Sequence, residues 1–148
     1  MAIIAFDPGE TIGVCIMQDD GQVAYFDQIK IAGLTAFLKT VNPATIDKVV
    51  VEKYVIFGHK AKQHSGSDAK TSQCVGRIKT WAELNDLDVI EQPANILPMA
   101  EKQTQVKIPK DHSASHQVSA YLHGAWYLMR MGTMLSALQK ANLDKTGS

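Results

Sequence analysis

Only two cysteines, no net charge and no long apolar run are found among the 148 residues, and each shortage excludes something. Cys15 and Cys74 both lie inside apolar runs, where a buried thiol behaves as a small hydrophobe, and a reducing, cytoplasmic setting is expected. A formal net charge of zero means that no global positive field draws in nucleic acid, so any basic binding surface has to be local. No run reaches the roughly 18 apolar residues of a membrane span, and no charged N-terminal region precedes a long apolar stretch. The chain is therefore expected to be soluble and unprocessed, with no membrane partner. Internal repeats and low-complexity tracts are also lacking. What is present is 45% hydrophobic residues in a length typical of one domain, here read as 1–143, with 144–148 a small, polar and flexible tail.

Ala2 to Phe6 is a continuous apolar run that ends at Asp7, with Pro8-Gly9 as the turn signal, and predicts a strand buried on both faces. Thr11 to Met17 returns as a second strand. Asp19-Asp20-Gly21 marks a hairpin turn before Gln22 to Ile31, strand formers that complete a meander. Leu34, Phe37, Leu38 and Val41 have helical spacing, and the run Lys48 to Val51 predicts a strand ending in Glu52. Between Tyr54 and Asp68, a stretch rich in Gly, His, Lys and Ser reads as a long loop. From Ala69 to Leu84 the pattern is helical again. Val75, Ile78, Trp81, Ala82 and Leu84 supply most of an apolar face, and Gly76 is a weak point that a close approach by backbone or ligand would explain. Asp88 to Glu91 predicts a fifth strand, while Pro93, Pro98 and Pro109 bound a stretch without clear pattern. Val118, Leu122, Ala125 and Met129 share one face of a last helix that starts near Ser115 or His116 and ends in a Met- and Leu-rich stretch, Leu128 to Leu135. Strands and helices in this order make a mixed α/β layer arrangement.

The sharpest chemical feature is Ile4-Ala5-Phe6-Asp7-Pro8-Gly9-Glu10-Thr11-Ile12-Gly13, where a buried strand delivers one carboxylate into a glycine-containing turn. Taken alone, it is equally a turn in which Asp7 caps the backbone. Val49-Val50-Val51-Glu52 ends a second buried strand in a carboxylate, which taken alone is an exposed glutamate paired with Lys53. In His116-Gln117-Val118-Ser119-Ala120-Tyr121-Leu122-His123, helical spacing puts His116, Ser119 and His123 on one face.

Taken in order along nearly the whole chain, these segments resemble the RuvC group of Holliday junction resolvases, which includes compact phage-type members. In that group the first strand ends in Asp-Pro-Gly with a later glycine, matched by Asp7, Pro8, Gly9 and Gly13. A glutamate closes the fourth strand, matched by Glu52. The last helix carries an acid or histidine and, three residues on, an aspartate before alanine; His116 fits the first position, but Ser119 stands at the second. The resemblance implies a ribonuclease H-like α/β fold, with a mixed five-stranded sheet, three antiparallel strands first and helices on both faces. It also implies Asp7, Glu52, His116 and Ser119 as catalytic positions. Asp7, Glu52 and His116 would ligate metal, two Mg²⁺ or Mn²⁺ ions per active site. Hard cations take oxygen ligands, and two ions about 4 Å apart stabilise the attacking and leaving oxygens of phosphodiester hydrolysis. A serine hydroxyl is a poor Mg²⁺ ligand, so Ser119 should weaken the ion shared with Asp7 unless Asp111 or a water fills the gap. His123 reads equally as a histidine filling a polar gap in the core and as part of the site.

From Lys53 to Lys79 the cations Lys53, Lys60, Lys62, Lys70, Arg77 and Lys79 face one acid, Asp68, and a phosphate backbone is their natural partner. By composition alone this is a solvated loop followed by a charged helix face. In the resembled group, the loop after the glutamate enters the junction and uses an aromatic side chain. Tyr54 and Phe57 are the candidates, since stacking on an unpaired base is worth about 1–3 kcal/mol, although Tyr54 at a strand end is equally suited to core packing.

The resemblance thus implies a crossover junction endonuclease, cutting branched DNA and above all four-way junctions, weakened or inactive in this form because of Ser119. A homodimer with two equivalent sites goes with it, and Leu128 to Leu135 either forms the interface or covers the core. Two other readings stay open: a catalytically silent branched-DNA-binding protein, and a related nuclease for structured RNA or flaps. A phosphate loop of an actin-like ATPase at Asp7 to Gly13 is excluded, because no second domain or second phosphate-binding repeat fits in this length.

Overall fold

The computed structural model describes residues 1–54, 66–111 and 113–146. Strands β1 (Ala2–Asp7), β2 (Thr11–Gln18), β3 (Val23–Lys30), β4 (Ile46–Glu52) and β5 (Asp88–Gln92) form one sheet in the order β3-β2-β1-β4-β5. The first three make the antiparallel meander that the two turn signals predict, whereas β1, β4 and β5 run parallel. Helices α1 (Leu34–Thr40), α2 (Gly66–Leu84), α3 (Leu97–Thr104), α4 (Ser115–Met131) and α5 (Ala137–Thr146) complete the fold.

Alternation along the strands decides which helix covers which face. Ile4, Phe6, Ile12, Val14, Val49 and Val51 pack with Leu34 and Leu38 of α1 and with Cys74, Ile78 and Ala82 of α2. Ile3, Ala5, Cys15, Met17 and Val50 point the other way, against Ala120, Ala125 and Leu128 of α4. Truncating a large member of either cluster to alanine costs about 2–5 kcal/mol. The outer face of α4 is covered in turn, since Val118 and Leu122 pack with Ala100 of α3. Burial pushes the thiol of Cys15 up to about 12 and that of Cys74 to about 11, so both are inert fillers of the core.

Several elements depart from the sequence reading. Helix α2 begins at Gly66, and Leu84, expected on its apolar face, is 78% exposed. A Cβ built on Gly76 meets nothing within 4 Å among the described residues, so no close approach by backbone accounts for that glycine. The stretch bounded by prolines holds α3, with Pro98 in its first turn, where a missing N–H breaks no helical bond. Helix α4 stops at Met131 because Gly132 takes the left-handed conformation (φ 80°) that terminates it. Leu128 and Met134 are consequently core residues, with Met131 and Leu135 exposed. The segment read as a flexible tail from Asp144 is helical as far as Thr146, within α5. Among the described residues, no helix is long and apolar enough to cross a membrane.

Candidate active site

The parity that sends Ile3 and Ala5 toward α4 sends Asp7 there too, and the same holds for Val50 with Glu52 and Ile90 with Gln92. Phe6 pairs with Val51 and Glu52 with Gln92, so Asp7, Glu52 and Gln92 close three neighbouring parallel strands at one edge of the sheet. All three strand-end side chains lie on the side covered by α4.

The start of α4 is fastened over this edge from two directions. Gly13 is the register partner of Asp7, and a Cβ there would lie 1.8 Å from the carbonyl oxygen of His116. Only glycine lets the first turn of α4 sit so close to β2. The N-cap residue Ala114 offers no side-chain bond, and Gln28 of β3 substitutes for one, its Oε1 accepting from the His116 N–H at 3.0 Å.

That placement brings the sequence-predicted side chains together. His116 Nδ1 is 3.2 Å from Asp7 Oδ2. Ser119 Oγ is a distant 3.5 Å from Glu52 Oε2, and His123 Nε2 is 2.8 Å from the same oxygen. Gln92, which the sequence reading left outside a strand ended at Glu91, donates from Nε2 to the His123 carbonyl at 2.9 Å and lies 3.2 Å from His123 Nδ1. Its signal was available in the alternation of β5, one step further along. Among the described residues, no group of three or more His, Cys, Asp and Glu side chains is spaced to hold a metal ion; the donors stand instead as two pairs, Asp7 with His116 and Glu52 with His123.

The sequence matches no protein-family model and no curated protein. Among solved structures, Thermus thermophilus RuvC in complex with a Holliday junction substrate superposes with a TM-score of 0.63 at 15% identity, over 92% of this chain and 99% of that one. A second Thermus thermophilus RuvC structure gives 0.62 at 14% identity, with the same coverage. The chain has the RuvC fold. At these identities the likeness is one of architecture, the mixed five-stranded sheet with its meander first and helices on both faces.

On this RuvC fold the site is electrostatically tense. Burial raises the carboxyl of Asp7 above its usual range, opposed by the hydrogen bond from His116 and reinforced by the charge of Glu52. His116 is raised in turn, first by its hydrogen bond to Asp7, with partial burial opposing.

Beside Asp7 and His116 opens a polar cleft of about 440 Å³ lined by Gly9, Glu10, Thr11, Lys30 and Thr71. Lys70 reaches its rim through an ion pair with Glu10 at 2.7 Å. Lys30, which the sequence reading passed over, donates to Thr11 Oγ1 at 2.8 Å. Lys53 is exposed directly after Glu52, and Tyr54 is half-buried beside it. Arg77 and Lys79 are engaged further along α2, with the Ile31 carbonyl at 3.3 Å and with Glu91 respectively. Asp111 bonds the N–H and hydroxyl of Ser113 in the exposed turn ahead of α4. Phe57, Lys60 and Lys62 lie outside the described residues.

Proposed function

We propose that the protein is a metal-dependent, structure-selective endonuclease that resolves four-way DNA junctions as a homodimer, with its metal site weakened by Ser119. The observation that carries this is the convergence of Asp7 and Glu52 from adjacent parallel strand ends beneath His116. The shared fold adds support, because one of its bearers is a RuvC solved with a Holliday junction substrate.

Donor chemistry supports the metal. Neither Asp7 nor Glu52 has a lysine or arginine ion-pair partner among the described residues, and Asp7 is raised first by burial and further by repulsion from Glu52. A divalent cation relieves that repulsion, and hard carboxylate oxygens suit Mg²⁺ or Mn²⁺. Asp7, Glu52 and His116 would hold it. When bound, such an ion polarises a phosphoryl oxygen and lowers the pKa of a bound water. Ser119 brings a neutral hydroxyl where a carboxylate would complete the set, so the second ion of the expected pair has one ligand fewer. Lys30, Lys53 and Lys70 would supply the positive charge that backbone phosphates need near the carboxylates. In this reading Tyr54, Phe57, Lys60 and Lys62 extend the DNA-binding surface beyond Glu52, while Arg77 and Lys79 contribute along α2. Two equivalent sites in a symmetric dimer match the two strands cut in a symmetric junction.

Ser119 also favours a second reading, a branched-DNA-binding protein without catalysis. Both are tested by cleavage of a labelled four-way junction with Mg²⁺ or Mn²⁺ by the wild type and by Ser119→Asp. Paired symmetric nicks are expected, strengthened about 10-fold or more by the aspartate and abolished by Asp7→Asn or Glu52→Gln, with junction binding retained. Binding without nicks in both proteins would establish the silent binder. Neither binding nor nicks would overturn the junction assignment, and preferential cutting of structured RNA or flaps would transfer the same chemistry to those substrates.

A further inference from the structure

We infer that His123 is a positioning residue for Glu52, held by Gln92 in the tautomer that carries its proton on Nε2 and donates it to the Glu52 carboxylate. The inference rests on the reading of Glu52 as a metal ligand.

His123 is fully buried on α4, between the ends of β4 and β5. Its Nε2 lies 2.8 Å from Glu52 Oε2 and its Nδ1 3.2 Å from Gln92 Nε2. Which nitrogen of a buried imidazole holds the proton is decided by what faces each of them. The amide of Gln92 decides here. It lies 2.9 Å from the backbone carbonyl of His123, a group that only accepts, so the end of the amide facing α4 is the NH₂. One of its hydrogens serves the carbonyl and the other points at Nδ1, which accepts. The proton is thereby left on Nε2, opposite a carboxylate oxygen that accepts it. Among the described residues no buried side-chain nitrogen or oxygen lacks a partner, as this arrangement requires. The opposite tautomer would set N–H against N–H at Gln92 and a lone pair against the carboxylate at Glu52, two repulsive contacts on a ring that is fully buried.

The consequence falls on Glu52. A free glutamate at a strand end loses side-chain entropy whenever it is fixed, whereas this one already has Oε2 committed to His123, with Oε1 left for a cation. Gln92 is the register partner of Glu52, so the residue that orients the histidine and the residue the histidine orients are set side by side by the sheet itself. Removing a hydrogen-bond partner of a ligating carboxylate lowers metal affinity about 10- to 100-fold.

Two measurements test this. Long-range ¹H–¹⁵N correlation spectra of metal-free protein labelled at histidine report which ring nitrogen is protonated. His123 is expected in the Nε2–H form in the wild type and as a mixture of tautomers in Gln92→Met. A wild-type His123 with its proton on Nδ1, or on both nitrogens, overturns the inference. Mn²⁺ affinity, read from the electron paramagnetic resonance signal of the free ion, is expected to fall about 10- to 100-fold in His123→Ala and to recover in His123→Gln, whose amide N–H replaces the Nε2 donor. A folded His123→Ala that binds Mn²⁺ as the wild type does also overturns it. Because the tautomer is read without metal and without a His123 substitution, it decides the inference even if His123→Ala does not fold. Failure of both the wild type and Ser119→Asp to bind Mn²⁺ would count against the nuclease reading instead.

Discussion

His116 and Asp7 form the pair through which pH reaches the site. The folded value of His116 lies above its ordinary 6.5, so the folded protein holds that proton more tightly than the unfolded chain does. The resulting stabilisation is complete below 6.5 and is lost as pH rises through the raised folded value; at the acid end it is limited by protonation of Asp7, itself raised above 3.8. With 41% of the His116 side chain exposed, solvent screening keeps the effect small. Urea unfolding of wild type and His116→Ala is therefore expected to show a larger stability difference at pH 6 than at pH 9, and a difference that grows with pH would contradict the pairing. The individual side chains of the site were unevenly legible. Asp7 and Glu52 stand out because buried apolar runs end on them, and His116 and Ser119 because helical spacing aligns them. Gln92 and Lys30 are fainter: Gln92 is marked only by the alternation of β5 one step beyond Glu91, and a lysine closing an exposed strand gains meaning only when the sheet sets it beside Thr11.

Among the elements, the seating of α4 on β2 is the most constrained contact. The atoms a Gly13 Cβ would meet, the His116 oxygen and carbon at 1.8 and 2.2 Å and the Gln117 nitrogen at 2.7 Å, are all backbone and cannot rotate away. Gly13→Ala should therefore lift the helix, destabilising the fold by about 3 kcal/mol or more in urea titrations and removing cleavage with it. A loss below about 1 kcal/mol would show that α4 has room to spare. Gly76 is the opposite case, an exposed glycine inside a 19-residue helix with open space where its side chain would go. Gly76→Ala is expected to stabilise the protein by about 0.5–1 kcal/mol, seen as a higher thermal midpoint. These two glycines show how far the elements could be read from sequence. The meander, β4, α2 and the start of α4 follow from local periodicity. Helix α3 was missed because Pro98 reads as a breaker when it in fact opens the helix, and α5 because no buried residue marks a face on it.

Over the whole molecule, the two faces of the sheet are closed by α1 and α2 on one side and by α4 on the other, which leaves α5 outside both cores. Among the described residues, Met134 is the last buried side chain along the chain, ahead of α5. Met134 is 5% exposed and packs over the hairpin turn at Gly21, and its N–H and that of Thr133 return to the Leu128 carbonyl to close the end of α4. Two truncations should therefore behave differently. Ending the chain after Ser136 removes a helix with no buried side chain and is expected to cost less than about 1 kcal/mol. Ending it after Gly132 removes Met134 as well and should cost about 2–5 kcal/mol, a large share of the 5–15 kcal/mol that holds a typical domain together. At 1.5 Å per residue, α4 carries its C-terminal end about 25 Å from its start, so neither cut touches the carboxylates directly. Junction cleavage by Ser119→Asp should survive the first truncation unchanged and fail in the second only where urea titration shows the chain unfolding. Cleavage lost from a fully folded protein ending at Ser136 would instead place α5 within the DNA-binding or dimer surface.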